Sequence, residues 1–126
     1  MAITYGLDLL SSTSYAYTTD YGGYFETPLY TVGSANQPFK FTEVEFQFVR
    51  PLRTGEGIKI EYRDDLTATY TTLGIWTYTT WGAVVSKNLN ILTTSTNFPA
   101  YETIQFRISL LGSSTTSPEL KSITFR

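Results

Sequence analysis

Three stretches of this chain alternate strictly between apolar and polar residues, and this period of two limits the fold more than any other feature. In Phe41–Val49, Val44, Phe46 and Phe48 face one way while Glu43, Glu45 and Gln47 face the other. In Gly57–Arg63, Ile58, Ile60 and Tyr62 oppose Lys59, Glu61 and Arg63. In Glu102–Leu110, Ile104, Phe106, Ile108 and Leu110 oppose Thr103, Gln105, Arg107 and Ser109. Successive side chains of a strand point to opposite faces, so each stretch reads as a strand with one buried side. No window places apolar residues at three-and-four spacing, so no helix of useful length is expected.

Weaker strands fill the gaps. Ile3–Leu9 alternates, and Phe25–Val32 is extended with Pro28 marking an edge or a strand end. Ala68–Thr79 is β-rich, with Gly74 placed for a bulge. Gly82–Ile91 and Glu119–Arg126 complete the set, the latter with Ile123 and Phe125 inward. Turn clusters separate them at Gly33–Pro38, Arg50–Gly57 and Gly112–Pro118. Eight or so short strands with regular turns predict an all-β fold, a sandwich of two antiparallel sheets, jelly-roll-like in its specific form. The expected core is the inward set named above, from Val44 to Phe125. The length of 126 residues suits one domain. Residues 24–126 are assigned to the sandwich, and residues 1–23, rich in Tyr, Ser and Thr, to a strand plus loop that serves as a docking segment.

Composition narrows the function. The chain has no His and no Cys, while Phe, Trp and Tyr make up 16%. Ser and Thr are plentiful, but a nucleophilic hydroxyl needs a base, and none of Lys40, Lys59, Lys87 or Lys121 sits in an apolar run. Glu43 and Glu45 could suggest paired acids for glycoside hydrolysis, yet they share the polar face of one strand. No phosphate loop is present. The expectation is therefore no enzyme and no cofactor. Net charge is −2 and the basic residues are scattered, so nucleic acid is not an expected partner. No run approaches the roughly 20 apolar residues of a membrane span, and the start lacks the pattern of a signal peptide.

Several constellations have two readings. Asp64 and Asp65, with Thr67, could begin a calcium loop, but no further carboxylates follow at regular spacing, and a hairpin turn is the simpler reading. Trp76, Tyr78 and Trp81, with Tyr70 nearby, could form a platform for sugar rings, with Trp76 and Tyr78 on one strand face and Trp81 turned outward. The simpler reading is core or subunit interface. Tyr15, Tyr17, Tyr21, Tyr24 and Tyr30 form a second cluster in a Ser/Thr/Gly setting, fitting either an adaptable contact surface or an edge ribbon packed on its own sandwich.

Four segments carry a resemblance: YFETPLYTVGSANQPF (24–39), KFTEVEFQFVRPLR (40–53), EGIKIEYRDDLTATYTTL (56–73) and YETIQFRISLLGSSTTSPELKSITF (101–125). They resemble a β-sandwich domain of tailed-phage virion proteins. The shared marks are an aromatic strand ending in Gly-Ser-Ala-Asn-Gln-Pro, an I-E-Y-R hairpin followed by D-L-T, and the ending I-Q-F-R-I-S-L … S-P-E-L-K-S-I. The resemblance implies a structural module of a phage particle, made in the host cytoplasm and located in the virion. Its partners would be other virion proteins and copies of itself, with a trimer favoured by analogy. It implies no catalytic residues. The alternative function is a carbohydrate-binding module for a host-surface glycan.

Overall fold

The computed structural model describes residues 3–6 by their backbone, and residues 23–91, 99–112 and 115–126 in full. Among the described residues nine strands and one helical turn follow in order: β1 Ile3–Gly6, β2 Tyr24–Glu26, β3 Tyr30–Thr31, β4 Glu43–Phe48, β5 Gly57–Arg63, β6 Thr71–Thr77, α1 Tyr78–Trp81, β7 Ser86–Asn90, β8 Thr103–Leu111 and β9 Leu120–Phe125. A first sheet has the order β1-β9-β4-β7, and a second has β2-β8-β5-β6 with β3 also paired to β8. Every pairing is antiparallel. Among these elements the chain passes repeatedly from one sheet to the other, so most strands lie beside neighbours distant in sequence.

The apolar faces of the two sheets meet in one core. Every residue expected inward is buried, none more than 8% exposed. Phe106 of the second sheet stacks on Phe125 of the first, with ring centres 3.7 Å apart and planes at 8°. Phe41 packs edge-on against both. Burying each such side chain contributes about 1.5–3 kcal/mol before chain entropy is subtracted. This supply of large rings explains how the sandwich closes in a chain that has no cysteine for a disulfide.

The strand expected from Ile3 pairs, as β1, with β9 from Ile3↔Phe125 to Gly6↔Ser122, so residues 3–6 form an edge of the first sheet. Two sequence expectations need correction. The strand read over Ala68–Thr79 ends at Thr77, and Tyr78–Trp81 forms one helical turn. Gly82 closes that turn at φ 73° and ψ −160°, its N–H donating to the Tyr78 carbonyl. The segment Arg50–Gly57 does more than separate two strands, because Leu52 and Glu56 are both buried within it.

The sheet edges carry features that discourage further strand pairing. On the second sheet, Thr27-Pro28-Leu29 interrupts the outermost segment between β2 and β3, and the register on β8 shifts there. At the opposite edge, β6 bulges: Ile60 faces Gly74 but Glu61 faces Thr72, leaving Leu73 as the extra residue beside the expected Gly74. On β7, Lys87 occupies the inner row opposite Phe46, a charge pointed inward at an edge.

Candidate functional site

The outer face of the second sheet gathers a connected set of polar and aromatic side chains. Strand register lays it out in rows. One row runs Tyr24, Ser109, Lys59, Ile75 across β2, β8, β5 and β6. The next runs Glu26, Arg107, Glu61, Thr72, so that charges alternate in sign across three strands. A third sets Gln105 beside Arg63.

These groups bind one another. Arg107 donates two hydrogen bonds to Glu61, both 2.9 Å, in the fork geometry that makes Arg–carboxylate pairs strong. Lys59 Nζ lies 3.8 Å from the same carboxylate. Tyr70, just before β6, folds over the rows. The guanidiniums of Arg63 and Arg107 lie 4.3 and 4.2 Å from its ring centre, within cation–π reach. Its hydroxyl donates to Glu26 Oε2 at 2.5 Å. Arg63 Nε donates to Gln105 Oε1 at 2.7 Å, and Gln105 Nε2 donates to the Thr27 carbonyl at 2.8 Å. As a result Gln105, Glu61 and Ser109 are buried although their strands turn them away from the core.

The electrostatics follow. The two Arg107 bonds hold the Glu61 carboxyl below its ordinary range despite burial, and the same bonds raise Arg107. Burial, then the bond to Glu26, pushes the Tyr70 hydroxyl up. Each of these shifts leads away from neutrality, so Glu61, Arg107 and Tyr70 each keep one charge state near neutral pH. At its margins stand two exposed apolar side chains, Tyr24 (58%) and Ile75 (54%).

The other sequence candidates separate. Trp76 is 9% exposed and belongs to the core, so it does not form an open sugar platform. Trp81 folds back and does not turn outward: its ring stacks on Trp76 at 5.9 Å and 14°, and lies 5.3 Å from Phe46. Tyr78 also packs against the core from α1 instead of sharing a strand face with Trp76. Asp65 is committed to a turn, its Oδ1 accepting from Thr67 N (2.7 Å), Thr67 Oγ1 (2.6 Å) and Ala68 N (2.8 Å). Those bonds hold its carboxyl below the ordinary range. The Asp64 carbonyl accepts from Thr103 Oγ1. Among the described residues, no group of three or more His, Cys, Asp or Glu is placed to hold a metal. Glu43 and Glu45 both face Arg126. Tyr30 packs against the core, while Tyr15, Tyr17 and Tyr21 lie outside the described residues.

Comparison with protein-family models, curated proteins and solved structures gives no match for this chain.

Sequence reasoning missed the network itself. Alternation placed Lys59, Glu61, Arg63 and Arg107 on an outer face, but a solvated one. The signal for their association lies in the register of β5 on β8, which no local pattern encodes. Among the described residues no helix is long and apolar enough to cross a membrane.

Proposed function

We propose that this chain is a non-catalytic attachment module of a virion, a jelly-roll sandwich that docks on other particle proteins and on copies of itself through the outer face of its second sheet. One observation carries the docking reading: a pre-paired Arg–Tyr–Glu network flanked by exposed Tyr24 and Ile75. Tyr and Arg are the residue types that dominate binding energy at protein interfaces. Because the charges are already paired and the side chains ordered, burying this face costs less desolvation and less rotamer entropy than burying loose charges. A fixed charge state suits adhesion better than proton transfer. The strand orders β1-β9-β4-β7 and β2-β8-β5-β6 support the jelly-roll assignment. The virion setting rests on the resemblance of segments 24–125. Carbohydrate attachment is the second reading, favoured by a separate depression on the first sheet.

Light scattering of the purified chain tests the docking face. A homo-oligomer, with a trimer favoured, is expected, and Tyr24→Ala combined with Ile75→Ser is expected to yield a folded monomer. A wild-type chain that stays monomeric at every concentration and binds no purified particle protein would sink the reading.

A further inference from the structure

On the outer face of the first sheet, register sets two like pairs side by side: Glu43 opposite Asn90, and Glu45 opposite Asn88. Paired strands lie about 4.8 Å apart, and residues two apart on one strand about 6.6 Å. Two carboxylates and two carboxamides therefore form a grid with roughly the footprint of one sugar ring. Arg126 holds the carboxylate side, with Nη1 3.4 Å from Glu43 Oε1 and Nη2 2.9 Å from Glu45 Oε1. Thr42, Glu43, Asn88, Leu89 and Asn90 line an open depression of about 310 Å³ here. That volume is near the lower end for small-molecule sites, which run from roughly 300 to 1,000 Å³.

The chemistry of the lining is selective. A carboxylate only accepts hydrogen bonds, whereas a carboxamide and a hydroxyl both donate and accept. Neighbouring hydroxyls on a sugar need both functions within one ring width. The backbone beneath is fixed from both sides, since Thr42 N donates to the Arg126 carbonyl and Ile91 N to the Thr42 carbonyl, both at 2.7 Å. An anionic ligand would meet Glu43 and Glu45, whose guanidinium is already engaged.

We infer that this depression binds one uncharged pyranose residue through adjacent hydroxyls, with Glu43, Asn88 and Asn90 as the contact residues. The inference rests on the carbohydrate-attachment reading and gives it a place away from the tryptophans. The sugar site and the Arg–Tyr face lie on opposite sides of the sandwich, so one chain can hold a protein partner and a sugar together.

The test is a nitrogen-edited NMR titration of the intact chain with the methyl glycosides of glucose, galactose, mannose and N-acetylglucosamine, and with methyl glucuronide as the charged control. Loss of signals in Asn88→Ala and Asn90→Ala assigns the two carboxamides. At least one neutral glycoside is expected to shift both carboxamide signals with millimolar affinity, while the glucuronide leaves them in place. Each alanine variant is expected to weaken the shift of the remaining carboxamide about tenfold, the loss of one net hydrogen bond. Carboxamides unmoved by all four neutral glycosides overturn the site, and equal shifts from the glucuronide overturn its charge selectivity. Oligomeric state is measured on the same samples: silent carboxamides in an intact oligomer refute the sugar site alone, and shifted carboxamides in a strict monomer refute the docking face alone.

Discussion

Glu56 lies in a turn between two glycines, yet it is only 1% exposed. Arg50 grips its carboxylate with bonds of 3.0 and 2.8 Å, Arg53 N donates at 2.9 Å, and the Thr116 hydroxyl donates as well. Arg50 also reaches Glu119 at 2.6 Å and the Ser117 carbonyl at 2.7 Å, tying the β4–β5 loop to the β8–β9 loop. Burial alone would push Glu56 up, but the Arg50 fork, the Thr116 hydroxyl and the Arg53 N–H together hold it below its ordinary 4.5. A carboxyl depressed by folding contributes stability above its ordinary value and loses that contribution as pH falls through the folded value. Urea unfolding is therefore expected to show stability rising with pH on the acid limb below 4.5, with a flatter limb in Glu56→Gln. Glu56→Ala is expected to cost about 3 kcal/mol, the lower end for breaking a buried pair because Arg50 keeps Glu119. None of this was legible in Arg50–Gly57 alone. Gly and Pro made the segment read as a solvent loop, and Thr116, Ser117 and Glu119 come from the far end of the chain.

Among the elements, legibility followed the length of the pattern. β4, β5 and β8 each hold several alternating pairs, and their inward residues were identified one by one. α1 is four residues long, too short for helical periodicity, and its Thr and aromatic residues favour strands. What ends α1 is geometry: Gly82 occupies a backbone region that is essentially glycine-only. Gly82→Ala is expected to destabilise the fold by about 1–3 kcal/mol. Thr80→Ala, on the exposed side of the same turn, is expected to stay within about 0.5 kcal/mol. Both can be read from chemical denaturation curves. The turn lays Trp81 over Trp76, Phe46 and Phe48, capping the core where β6 leaves the second sheet. Trp76→Ala is expected to cost about 3–5 kcal/mol in the same measurement, the usual result of emptying an aromatic core position. A Trp76 variant that keeps full stability would place the ring outside the core.

At the scale of the whole molecule, antiparallel partners come from remote parts of the chain: β1 lies beside β9, and β2 beside β8. Loop closure over such separations is slow, so refolding is expected to take milliseconds to seconds, measurable by stopped-flow tryptophan fluorescence. Microsecond refolding would contradict this topology. Two sheets could be anticipated because one-sided strands must bury their apolar face against another layer. Which strand pairs with which could not, because register depends on contacts between distant segments. The β1–β9 ladder has a consequence for attachment. Ile3 and Phe125 face each other across it, so polypeptide joined to either end would emerge from a single pole. A larger protein could therefore carry this sandwich as a bead spliced into one surface loop, with Ile3 and Phe125 side by side where the bead meets it.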